Sequence, residues 1–310
     1  MKNIKITSLL PGLIDTDNEL FSISRGRKLS ESEKISIQNG IIRPIFVIKK
    51  EIGYLLISGR RRFEAWKKYR GTEKIPVYQI GNETSQHKIL KFIVDDLRIE
   101  SELNPFEISA VFNVAMKMPN FDRQYWWEFL RVKSSVEWFK KIQQLAEMPN
   151  LIQNFLIQKV APMKKCLLFT KLNDDNLSQI EQIVSLFPGL NVLCEIAEML
   201  FEIGQKTDVK QISEITAILE TDSESKEKIK QIRDVLHTIR YPIWSKNLQK
   251  VGDLVSSLEN QAEIRWDRTF EKSGVEILAK IQNLDDWENW QNFFLNPHNR
   301  EIFKKIVEKM

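Results

Sequence analysis

The rhythm of apolar and polar positions changes twice along the chain. Up to about residue 80 the apolar positions come in short, β-branched runs: 41–48 predicts a strand, 49–52 a hairpin turn, and 53–58 a second buried strand ending at Gly59. From Arg61 to Tyr69 the spacing of Phe63, Ala65 and Trp66 is helical. Gly71 stops that helix, and 75–80 predicts a third strand. From residue 84 the period becomes helical throughout. Asn104-Pro105 ahead of Phe106-Glu107 reads as a helix start, with proline where its missing N–H costs little. Asn120-Phe121-Asp122 breaks the next helix, 124–130 is a short one, and 132–135 is a turn whose serines can cap another over 134–147. There Trp138, Ile142 and Leu145 share one face. Further helices are predicted at 150–159, 177–186, 190–203, 209–220, 224–239 and 243–258. Beyond them 262–266 and 275–281 alternate like strands, and helices at 284–294 and 298–309 close the chain. The fold class is therefore α+β and multi-domain. A small α/β module (1–98) is followed by a helical region (99–221) and a helical plus ββα module (222–310), the last opened by the acidic stretch 222–227.

Composition narrows this picture. At 310 residues the chain exceeds what one core usually organises, and an apolar fraction of 42% with eight tryptophans excludes global disorder. No run reaches the roughly 18–20 apolar residues a membrane helix needs. The opening hexapeptide alternates polar and apolar and lacks the hydrophobic block of a signal peptide. Two distant cysteines, Cys166 and Cys194, and three scattered histidines, His87, His237 and His298, give neither a disulfide framework nor a zinc spacing. A reducing cytoplasm is the expected compartment. The net charge of +4 is unevenly spread. Residues 1–100 carry 19 Lys and Arg against 12 Asp and Glu, residues 101–250 balance at 19 each, and residues 251–310 carry 8 against 11. The cationic third points to an anionic partner.

The strongest local signal lies in that third. A buried strand runs into Gly59, Arg60-Arg61-Arg62 follow, and a helix begins, so backbone N–H groups, a helix dipole and guanidinium forks converge at one strand end. That is the chemistry of a phosphate cradle, although a basic turn is also a common solvated helix start. A second signal is Gly40-Ile41-Ile42-Arg43-Pro44-Ile45, and a third is Asp95-Asp96-Leu97-Arg98 followed by Leu103-Asn104-Pro105-Phe106-Glu107.

In this order the three motifs resemble those of ParB-type proteins, chromosome- and plasmid-partition DNA-binding proteins whose N-terminal domain shares a fold with sulfiredoxin. The resemblance covers about residues 4–170. It implies binding of CTP with Mg²⁺ and a nucleotide-gated DNA clamp. Gly40, Pro44, Gly59, Arg61 and Arg62 match by position and would frame the triphosphate together with Arg43 and Arg60. Asp96 falls where the family has a metal-coordinating asparagine, with Asp95 the alternative because one residue is inserted before Leu103; a carboxylate is likewise a hard-oxygen ligand. Arg43 stands for the family's glutamine and Arg60 for its glutamate, groups associated with hydrolysis. Arginine cannot accept a proton, so binding with weak or no turnover is expected, and no catalytic residue is assigned. Arg60 also occupies the position of sulfiredoxin's catalytic cysteine, which excludes that chemistry.

The resemblance extends to a helix-turn-helix, in which Lys133, Ser134, Ser135, Lys140, Lys141 and Gln144 would face double-stranded DNA. The usual turn glycine is replaced by Val132, and a solvent-facing bundle helix would look similar. Trp126-Trp127 reads as core rather than as a base-stacking platform. The apolar alternation of 262–281, with Trp287, Trp290 and Phe293, offers a face for homodimerisation or for closing an intrachain core. A nuclease or nucleotide-dependent kinase on the same fold is the rival function. It needs an acid/base carboxylate at the loop, for which only Glu64 and Asp95/Asp96 stand near. A pure protein-interaction module is the third.

Overall fold

The computed structural model describes residues 4–17, 22–132, 136–206, 212–259, 263–267 and 274–309. The chain divides into two compact units, Met1–Phe201 and Glu202–Met310.

The first unit opens with a five-stranded mixed sheet. Its strands are β1 (Ile4–Leu9), β2 (Ile14–Asp15), β3 (Ile45–Lys49), β4 (Tyr54–Ser58) and β5 (Ile75–Ile80), in the order β1-β5-β3-β4-β2. β3 and β4 form the expected antiparallel hairpin, closed by Lys50 N–H donating to the Gly53 carbonyl at 3.0 Å. β3 lies parallel to β5, with Ile45 opposite Val77. Three helices dress this sheet: α1 (Glu31–Gln38), α2 (Arg60–Arg70) and α3 (Gln86–Glu100). The alternation of β3 sorts its two faces. Ile45 and Val47 bury against Phe63 and Trp66 of α2, whereas Phe46 turns the other way to stack on Phe92 of α3 at 6.5 Å.

Seven helices follow: α4 (Pro105–Met116), α5 (Arg123–Leu130), α6 (Val136–Leu145), α7 (Asn150–Gln158), α8 (Met163–Phe169), α9 (Asp174–Val184) and α10 (Leu190–Lys206). Asn104 caps α4 by accepting from the N–H groups of Phe106 and Glu107, and Glu107 returns the bond to Asn104 N–H at 3.1 Å. Such a reciprocal box is worth about 1 kcal/mol. α6 seats Ile142 and Leu145 in the core of the unit, and Ser109 of α4 donates to the Ile142 carbonyl. Phe139 joins them between Phe112 and Trp127, with ring centroids at 5.9 Å from each. Trp126 and Trp127 are buried, as the sequence predicts.

The second unit comprises α11 (Ser213–Leu219), α12 (Ser225–Arg240), α13 (Pro242–Glu259), the antiparallel pair β6 (Glu263–Trp266) and β7 (Val275–Leu278), α14 (Leu284–Leu295) and α15 (Pro297–Val307). Val251, Val255 and Leu258 of α13 meet Ile264, Phe293, Ile302 and Ile306 in a core of their own, with Trp290 packed against it. Of the apolar face predicted at this end, Phe293 and Trp290 therefore close an intrachain core, while Trp287 stays outside.

Two helices, α1 and α8, are absent from the sequence reading. No helix among the described residues is long and apolar enough to cross a membrane.

Candidate functional site

The end of β4 builds the site. Gly59 follows Ser58 with φ +96°, in the left-handed region, and its carbonyl accepts the first turn of α2 from Phe63 N–H at 2.9 Å. A Cβ there would stand 2.7 Å from Ile45 Cγ2 and 3.1 Å from Arg62 Nη2, so only glycine fits the bend. The bend fans the three arginines in three directions.

Arg62 turns inward and is buried. Its Nη1 donates to the carbonyls of Arg43 and Pro44, both at 3.0 Å, and its Nη2 to Asp96 Oδ2 at 2.6 Å. Burial lowers the pKa of this guanidinium from its ordinary value, and the Asp96 charge opposes the shift. Ser58 hydroxyl donates to the same Asp96 oxygen at 2.5 Å. The other oxygen, Oδ1, lies 3.2 Å from Arg43 Nη2 and accepts no hydrogen bond. Parts of all three sequence motifs thus meet at one buried node. Arg60 reaches the carbonyl of Thr16, and Arg61 pairs with Glu100 of α3, whose other oxygen is 2.9 Å from Arg43 Nη2.

A cleft of about 220 Å³ opens above this node, lined by 58–62, Asp96, Glu100, Arg27 and the stretch around Ser22 to Ser24. Its far wall is held by a second buried ion pair. Arg27 Nε and Nη2 grip both oxygens of Glu107 at 2.6 and 2.7 Å, and Arg27 Nη1 donates to the Leu97 carbonyl at 2.8 Å. Glu107 is fully buried and also accepts from Arg25 N–H at 3.2 Å. The glutamate of the Leu-Asn-Pro-x-Glu motif therefore anchors the loop before α1 to the start of α4.

The remaining predicted residues stand apart from the cleft lining. Gly40, at φ +78°, ends α1: its N–H donates to the Ile37 carbonyl at 3.0 Å and Ile41 N–H to the Ser36 carbonyl at 2.8 Å. Asp95 is exposed on the other side of α3 from Asp96, and Asp96 is the one that lines the cleft. Lys140 and Gln144 are exposed one turn apart on α6, and Lys141 is half-buried. Lys133, Ser134 and Ser135 lie outside the described residues. Among the described residues no cluster of three or more His, Cys, Asp or Glu could hold a metal ion. Sequence reading missed Arg27, Ser58 and Glu100. Glu100 sits four residues after Asp96, so a helix places both on one face, and that spacing is a signal for it.

No family model and no curated protein sequence matches the chain. Comparison with solved structures does return matches. The chain is similar to ParB structures. It is 15% identical to C-terminally truncated ParB from Caulobacter crescentus bound to the centromeric parS site, covering 62% of this chain and 98% of that one at a TM-score of 0.32. The pNOB8-like ParB N-domain is 12% identical, over 77% of this chain and 93% of its own, with a TM-score of 0.37. The C. crescentus protein complexed with CTP-γ-S is 17% identical, over 58% and 99%, with a TM-score of 0.24.

Proposed function

We propose that this is a ParB-like DNA-binding protein whose α/β module binds a nucleoside triphosphate in the cleft over Gly59. The observation that carries the reading is the convergence at that cleft of the α2 N-terminus with the Arg60 and Arg61 guanidiniums, beside the inward Arg62–Asp96 pair. Backbone N–H groups at a helix start and guanidinium forks are the groups that hold phosphate. Each charged hydrogen bond contributes about 1.5–3 kcal/mol, so three supply at most about 9 kcal/mol, and contacts to the rest of the nucleotide must offset the cost of immobilisation for micromolar affinity, about 8 kcal/mol, to result. CTP is the first nucleotide to test, on the motif resemblance.

Asp96 Oδ1, which accepts no hydrogen bond, suits a Mg²⁺ ion arriving with the phosphates, since Mg²⁺ sites commonly combine one or two carboxylates with phosphate oxygens. When bound, that ion would neutralise phosphate charge. Turnover is slow or absent in this reading. A base must accept a proton beside the attacked phosphate, and of the carboxylates that line the cleft Asp96 is gripped by Arg62 and Glu100 is held between Arg43 and Arg61, where phosphates would take its place. The same fact weighs against the nuclease and kinase alternatives. DNA is assigned to the exposed face of α6, and pairing of two copies to the second unit.

Calorimetric titration with CTP, ATP and GTP, with and without Mg²⁺, tests the nucleotide reading. Micromolar heat for at least one nucleotide is expected. Absence of heat with all three at millimolar concentration overturns it and leaves the loop as a plain contact for DNA or protein.

A further inference from the structure

The cleft already contains an anion of its own. Glu100 Oε1 stands 2.9 Å from Arg43 Nη2, while Oε2 accepts from Arg61 Nη2 and lies 3.8 Å from Arg27 Nη1. One carboxylate thus meets three guanidiniums from three separate segments of the chain, the arrangement in which arginine forks hold a phosphate group.

Two further observations mark Glu100 as displaceable rather than structural. Its side chain is 20% exposed, whereas those of Asp96 and Glu107 are 3% and 0%. It is also the last residue of α3, where the negative end of the helix dipole disfavours a carboxylate. Only the surrounding arginines favour an acid there. Arg27 is satisfied by Glu107 and Arg62 by Asp96, so Glu100 is the acid that Arg61 pairs with and the nearer of the two that Arg43 meets. Four guanidiniums, of Arg27, Arg43, Arg61 and Arg62, pair with the three carboxylates of Asp96, Glu100 and Glu107, and a fifth, of Arg60, lines the cleft and donates to the Thr16 carbonyl. With Arg25, whose guanidinium feels Glu107, and Glu33, whose carboxylate feels Arg43 and Arg61, six cations stand against four carboxylates, an excess that draws an anion in.

We infer that Glu100 is an internal competitor for the ligand: it occupies Arg43 and Arg61 until a polyphosphate group displaces it, and so sets the affinity of the cleft. The inference rests on the nucleotide reading for its ligand and on the ion-pair geometry for the residue. Removing one negative charge beside several phosphates raises affinity steeply where water is partly excluded.

The test is calorimetry on the full chain and on Glu100→Gln and Glu100→Asp, with CTP, ATP and inorganic tripolyphosphate, Mg²⁺ present. Glu100→Gln is expected to bind the anions about tenfold more tightly than the parent. Glu100→Asp, which keeps the charge but shortens its reach, should fall between. Binding unchanged or weakened in Glu100→Gln overturns the inference even if nucleotides bind the parent. Tripolyphosphate tightened by Glu100→Gln while no nucleotide binds retains the inference and removes the nucleotide reading. If neither tripolyphosphate nor any nucleotide binds either form at millimolar concentration, both fall. Should circular dichroism find Glu100→Gln unfolded, Glu100→Asp alone must bind more tightly than the parent, and equal binding overturns the inference.

Discussion

Arg61 and Arg62 are neighbours in sequence and opposite in kind. Arg62 bonds three acceptors across two motifs, so Arg62→Ala leaves the buried Asp96 with only Ser58 and the partly exposed Arg43 beside its charge and should cost about 3 kcal/mol in denaturant unfolding. Arg61 pairs with Glu100 with both side chains 20–25% exposed, and Arg61→Ala should cost about 1 kcal/mol or less while removing nucleotide binding. A stable, binding-deficient Arg61→Ala beside a destabilised Arg62→Ala is the expected pair of results, and equal stability loss in both would contradict the division of labour. Much of this site was legible beforehand. Glycine before three arginines at a strand end is a local pattern, and local chemistry reads directly from sequence. Which arginine turns inward was not legible, because it depends on Asp96, 34 residues away, packing opposite. Arg27 escaped notice for the same reason: its partner Glu107 is 80 residues distant.

At the scale of elements, the two helices that sequence reading missed are short, eight residues in α1 and seven in α8, so each offers about two turns of periodicity. α1 has a single buried apolar residue, Ile37, so periodicity is silent. Its Ser30–Glu33 capping box was the available signal. The turn between α5 and α6 is a second case. The structure puts the left-handed position at Arg131, φ +57°, one residue before the Val132 that sequence reading placed there, and Val132 N–H donates to the Trp127 carbonyl at 3.1 Å. A non-glycine residue there carries about 1–2 kcal/mol of strain. Arg131→Gly should therefore raise the thermal midpoint, with a gain of about 1 kcal/mol; a lower midpoint would mean that Arg131's contact with Glu102 at 3.4 Å outweighs the backbone term. Following that turn, α6 exposes Lys140 and Gln144 while Lys141 is half-buried, so the proposed DNA contact is tested first at Lys140. Lys140→Ala should weaken DNA binding without unfolding the chain and reduce the slope of log K against log salt by about 0.9. An unchanged slope removes this helix from the interface.

For the whole molecule, the two units differ in how their apolar surface is used. In the second unit Phe293 and Trp290 belong to the core around α13, so deletion of residues 260–310 would strip Val251, Val255 and Leu258 of their cover. Such a truncated chain should aggregate and cannot report on pairing. On the proposed pairing, one apolar surface among the described residues that a second copy would cover is the other side of α14. Leu284 is 79% exposed, Trp287 49% and Leu295 61%, and helical spacing aligns these three along one stripe. Large apolar side chains grouped on one exposed face mark association surfaces, and a two-fold pair would set the stripe of one copy against that of the other. Trp287→Glu combined with Leu295→Glu touches no residue of that core, so folding should be retained while the pair comes apart. Sedimentation should then find a dimer for the parent and a monomer for the double variant, with the same circular dichroism. A parent that sediments as a monomer across the micromolar range would leave α14 as ordinary surface, and DNA binding would then have to be achieved by a single copy.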